Sequence, residues 1–155
     1  MASRTIQVDR LDRVNDRVRL APAVTGDLLS DLIAAACPRL PVLNRAGKAA
    51  RLYRLIDTRA WTEAALALVE IELPQWQLRR LVREDGAWLC SLSKQMNLPL
   101  WLDDTVDARH GVLPLAILGA LLEARRRSLG GSESAPTVPL VRPTAAYPMT
   151  CDDFA

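Results

Sequence analysis

Residues 75–93 read QWQLRRLVREDGAWLCSLS. Apolar-rich runs flank Asp85-Gly86, a dipeptide that reverses chains because glycine takes φ > 0 without steric cost. The stretch is a predicted β-hairpin, and two loop lengths are open. A two-residue loop at Asp85-Gly86 pairs Arg83 with Trp88 and Arg80 with Ser91, which mixes charge into both faces. A three-residue loop, Glu84-Asp85-Gly86, pairs Val82 with Trp88 and Leu78 with Leu92. Trp76, Leu78 and Val82 then share a face with Trp88, Cys90 and Leu92, while Gln77, Arg79, Arg83, Ser91 and Ser93 lie opposite. The second register is preferred because it gives one mostly apolar side, with Gly86 in a left-handed bulge and Trp88 facing the core. Its one misfit is Arg80, opposite Cys90.

Outward from the hairpin the periods are helical. Thr25 or Asp27 caps a helix with Leu28, Leu29, Leu32, Ile33 and Ala36 on one side, ended by Pro38 and Pro41. Asn44 is the expected cap of the next helix, which places Ala49, Leu52, Tyr53 and Ile56 together. After a short break at Asp57-Thr58-Arg59, Trp61, Ala64, Ala65, Leu68 and Val69 form a third stripe that stops before Pro74. The last two helices, so closely joined, form a predicted antiparallel αα-hairpin. Residues 111–124, GVLPLAILGALLEA, are the most hydrophobic segment, with 12 uncharged residues before Glu123. That is well short of the roughly 20 that span a bilayer, so a buried helix over about 112–127 is expected. Residues 1–20 are ambiguous: Ile6 and Val8 suggest a strand, and Leu11, Val14 and Val18 a helical stripe. Residues 94–110 read as irregular. From Ser128 the composition turns to Gly, Pro, Ser and Thr.

The expectation is a small α+β domain over residues 1–129, with three to four helices packed on a β-hairpin that an N-terminal strand could extend. Residues 130–155 are expected to be a flexible tail, apart from the extreme end, MTCDDFA, which could dock as a short peptide.

Half of the 155 residues are hydrophobic and a quarter charged, an ordinary globular balance. A net charge of +2 is too small to imply a polyanion partner. Asp9, Asp12 and Asp16 stand among the N-terminal arginines without an apolar run, so neither a secretory signal nor a transit peptide is expected. Cys37, Cys90 and Cys151 are widely spaced and form no CxxC, which fits free thiols in a reducing cytoplasm.

One resemblance covers residues 44–127. AWTEAALALVEIELPQWQLRRLVREDGAWLCSLSKQ, followed by LPLWLDDTVDARHGVLPLAILGALLEARR, resembles a group of small alphaproteobacterial proteins. In these a helix ending in an ELPxW-like phrase leads to a DGxW hairpin, an LSxQ phrase, an LPxWLD phrase and an LALAIL-like helix. The Pro-rich tail is not part of that pattern. The group has no known activity, so the resemblance implies lineage and fold and carries over no catalytic residue.

No P-loop, GxGxxG, GxSxG or HExxH occurs. The densest polar cluster is Asp103, Asp104, Asp107, Arg109 and His110. Carboxylates beside a histidine suit a metal or acid–base chemistry, but ligand spacing with further His or Cys is missing. Acids that favour a helix N-terminus are the simpler reading. Arg79 and Arg83, with Arg80 nearby, could grip phosphates from the hairpin, although no aromatic is interleaved to stack bases. Trp61, Trp76 and Trp88 fall on core stripes, which leaves Trp101 the least explained: it could cover the core or form a partner-binding anchor. The expected function is a non-catalytic cytoplasmic interaction or accessory protein. It would have a protein partner, with Trp101, Arg79 and Arg83 as candidate contacts and Gly86 and Trp88 as structural residues. It would need no cofactor, no metal and no membrane. A nucleic-acid-associated regulator comes second, and a small enzyme built on Asp103, Asp107 and His110 third.

Overall fold

In the computed structural model, which describes residues 2–42, 47–99 and 102–130, there are five helices and one three-stranded antiparallel sheet, and the last helix lies between the sheet and the other helices. The protein is a small α+β domain. The N-terminal ambiguity resolves as helix: α1 runs Ala2–Leu20 and buries Leu11, Val14 and Val18. The strand suggested by Ile6 and Val8 does not form. Two apolar residues give a strand little to bury, whereas three at helical spacing have neighbouring helices to pack on.

α2 (Gly26–Ala36) starts at Thr25, whose Oγ1 accepts the Leu28 amide at 3.2 Å, and stops at Cys37 before Pro38. α3 (Lys48–Asp57) has Gly47 as its N-cap. The cap is therefore not Asn44, which lies outside the described residues. Ala49 and Leu52 are buried as expected, but Tyr53 is 40% exposed. Arg59, with φ 57°, turns the chain into α4 (Trp61–Glu72). Lys48 at the start of α3 pairs with Glu70 near the end of α4 at 2.7 Å, so the two helices are antiparallel.

β1 (Gln77–Glu84) and β2 (Ala87–Ser93) form the hairpin. Its turn is the two-residue one: Asp85 and Gly86 have φ of 52° and 77°, as a type I′ turn requires. Near the tip Arg83 pairs with Trp88, Val82 with Leu89 and Arg80 with Ser91. The expected pairing of Val82 with Trp88 is overturned, and Arg80 does not sit opposite Cys90. Leu81 does. Between Leu78 and Arg80 the register shifts by one residue, and beyond that bulge Leu78 pairs with Leu92 as expected. The two-residue register thus holds for the five pairs from Glu84 to Arg80, and the expected one only for the two pairs of Gln77 and Leu78. A bulge changes the phase of β1 partway along, so no uniform alternation describes it.

The third strand is β3 (Thr105–His110), in the stretch expected to be irregular. It pairs antiparallel with β2, giving the order β1-β2-β3. The sheet is therefore extended by β3 and not by the N-terminus. Val106 and Ala108 pair with Leu92 and Cys90 on the inner face, while Asp107 and Arg109 pair with Ser91 and Leu89 on the outer face.

α5 (Leu113–Gly130) explains the most apolar segment. It packs between the inner sheet face on one side and α1 and α4 on the other, and residues from Leu115 to Leu122 are buried all round. Gly119 allows the close approach, since a Cβ there would lie 3.2 Å from the Ala108 Cβ. Pro114 sits in the first turn, where its missing N–H costs nothing. No helix among the described residues is long and apolar enough to cross a membrane.

Candidate functional site

Among the described residues, no helix is seen packed on the outer face of the sheet; the helix that meets the sheet, α5, lies on the inner face. Because cross-strand partners share a face, Val82, Leu89, Arg80, Ser91, Thr105, Asp107 and Arg109 project from that side. Leu89 and Ser91, on the central strand, are buried between their neighbours. Arg79, Arg80, Leu89, Ser91, Thr105 and Asp107 line a depression of about 520 Å³ there.

A buried carboxylate anchors one end of this face. The Asp103 side chain is 0% exposed. It accepts from the Arg79 guanidinium at 2.5 Å, from the Gln95 amide at 3.0 Å and from the Ser93 hydroxyl. Burial alone would raise its pKa, but the Ser93, Gln95 and Arg79 contacts hold it below the usual carboxylate range. The bulge is what aims Arg79 at this spot, and its second guanidinium nitrogen donates to the Leu98 carbonyl at 3.3 Å. At the centre the Ser91 hydroxyl donates to Asp107. Toward the hairpin tip Glu84 accepts from Arg109 at 3.2 Å and from Arg80 at 3.4 Å.

The sequence candidates separate. Asp103 and Arg79 come together as an ion pair. Arg83 leaves them: it shares the inner side with Trp88, its guanidinium carbon 6.0 Å from the indole centroid. Trp101 lies outside the described residues. Asp107 and His110 are three apart on a strand, so their side chains take opposite faces. His110 uses Nδ1 to accept the Val112 amide at 2.9 Å, at the approach to α5. Among the described residues no group of three His, Cys, Asp or Glu is placed to hold a metal ion. Set against protein-family models, curated proteins and solved structures, the chain matches none.

The buried thiols are poor nucleophiles in this setting. Burial, then the charge of Asp107, pushes the Cys90 pKa up to about 12. Burial and Glu72 push that of Cys37 higher still. Glu72 is the polar residue that sequence reasoning passed over. Only 2% exposed, it accepts the amides of Leu40 at 2.7 Å and Arg39 at 3.2 Å, tying the chain after α2 to the end of α4. A glutamate within an apolar helix, just before Pro74, was its available signal.

Proposed function

We propose that this protein is a non-catalytic interaction module of a reducing, cytoplasmic compartment, and that the open sheet face docks a short segment of a protein partner. The observation that carries the reading is a sheet face left uncovered by the described residues, with Leu89 at the floor of a depression rimmed by both signs of charge. Size argues for a segment. Three strands of eight, seven and six residues present roughly 14 Å by 23 Å, about 320 Å², under half of the ~800 Å² that each partner gives to a standard interface. The buried thiols Cys37 and Cys90 support the compartment.

A nucleic-acid ligand is the weaker reading, because Arg79 is engaged by Asp103, and Arg80 and Arg109 by Glu84. An enzyme is weaker again, since Asp103 is committed to holding the loop before β3.

Photo-crosslinking tests the proposal. A crosslinkable residue replaces Val82, on the open face, or Arg51, on α3. The expected result is a discrete protein adduct from position 82 that is lost in Thr105→Arg. The crosslinked peptide, synthesised alone, should bind the purified protein. The same adduct from both positions, or none from position 82, rejects the open face as the docking site. Binding of a duplex oligonucleotide that Arg80→Glu abolishes would move the function to the second reading.

A further inference from the structure

Arg10, Arg13 and Arg17 stand at i, i+3 and i+7 on α1, so they form one exposed stripe. Ile6, 59% exposed, falls on the same stripe. Beside them a groove of about 300 Å³ runs between α1 and α2, floored by Val14, Ala34 and Ala35 and faced by Asp31. Arg17 is ion-paired with Asp31, while no ion pair among the described residues reaches Arg10 or Arg13. Three guanidiniums against one carboxylate leave the rim positive above an apolar floor. That combination suits a segment with acidic groups between large apolar side chains.

The chain itself carries such a segment. Residues 149–154 read MTCDDF, with Asp152 and Asp153 between Met149 and Phe154. The geometry permits the contact. α5 ends at Gly130, and its last turns follow α1, with Glu123 beside Asn15 and Arg126 on Asp12. The groove is then about 20 Å away, roughly one helix diameter around α1 and a turn or two along it. A glycine-rich coil of the 18 residues 131–148 would span about 23 Å, and the four prolines present extend that reach, so the groove lies within the length of the tether. Exposed ion pairs are individually weak, and tethering is what makes a contact of this kind populated.

We infer that the α1/α2 groove binds an acidic, apolar-flanked peptide, and that residues 149–154 of the same chain occupy it. The assignment goes beyond the open sheet face and does not depend on it.

Paramagnetic relaxation in the full chain is the test. A nitroxide is attached at Cys151, Cys37 and Cys90 being buried. The amides of Arg13, Arg17 and Ala34 should lose about half their intensity or more, while those of Gly86 and Ala87 at the hairpin tip keep theirs. Arg10→Glu with Arg13→Glu should abolish the loss, and so should Asp152→Arg with Asp153→Arg, which leaves the helices untouched. Combining all four substitutions should restore it. Even broadening over the whole surface, broadening centred on the sheet, or broadening that survives either charge reversal overturns the inference. Broadening of an isotope-labelled chain by a separate spin-labelled chain would make a second copy the donor, and would overturn the assignment in cis.

Discussion

Arg83 and Trp88 face each other across the β1–β2 ladder, the guanidinium carbon 6.0 Å from the indole centroid. This pairing follows from a turn in which both Asp85 and Gly86 have positive φ. Gly86→Val is expected to cost about 1–3 kcal/mol, because a β-branched residue resists that region. Asp85→Val should cost a similar amount and Asp85→Asn about 0.5 kcal/mol or less, since Asn tolerates left-handed φ. A three-residue loop would need positive φ at Gly86 alone. Denaturant unfolding in which Asp85→Val is neutral would contradict the two-residue turn.

Trp88 is half-buried, and Arg83 covers its ring. A pair of this kind is worth about 0.5–1 kcal/mol at an exposed site. Arg83→Ala should therefore destabilise by about that much in wild type and by less in a Trp88→Leu background. Equal losses in the two backgrounds would show that the stacking contributes nothing.

Arg79 and Asp103 should behave as one unit. The double variant Arg79→Ala/Asp103→Ala is expected to melt no lower than the worse single variant, because each single change leaves the other charge half-satisfied. Additive melting shifts would count against the coupling.

The depressed pKa of Asp103 has a signed consequence for pH. Its stabilisation is complete above the unfolded value of 3.8 and is lost as pH falls through the lower folded value. The stability difference between wild type and Asp103→Asn should be constant from about pH 5 to 7 and shrink below about pH 4. A difference that grows on acidification would reverse the sign and refute the assignment.

Glu72→Ala leaves the Leu40 and Arg39 amides without their acceptor. The expected loss is about 1.5–3 kcal/mol, the range for hydrogen bonds to a charged group. Glu72→Gln, which keeps one acceptor, should lose less. Equal unfolding free energies for the two variants would mean that the carboxylate does not hold that loop.

The legible features are those that neighbouring residues decide. The stripe of Leu28, Leu29 and Leu32 and the stop before Pro38 predict α2, and of the two caps the sequence offers, Thr25 and Asp27, the structure uses Thr25. The αα-hairpin, the site of the β-turn and the buried character of α5 follow equally from local period and turn chemistry. β3 did carry a period-2 signal, with Thr105, Asp107 and Arg109 alternating with Val106 and Ala108, but six residues with two small apolar side chains are too weak a pattern to stand out from a polar loop. It is a strand because β2 has an edge to pair with. At the candidate site, Arg79 and Asp103 were singled out from the sequence, but on separate grounds. Their meeting depends on a bulge that no residue pattern announced.

The sequence by itself determined the α+β class, the helical segments from Thr25 onward and the place where the hairpin turns, because hydrogen bonding within a helix and φ at a turn involve residues a few positions apart. The tertiary structure alone decided the ladder register, the bulge at Arg79, the strand identity of residues 105–110 and the helical state of α1. It also decided that Asp103 and Glu72 serve as buried anchors and that the described helices gather on one side of the sheet. Each of these depends on which distant group is available to satisfy a backbone amide, a carboxylate or an apolar surface, and only the assembled chain brings those groups together.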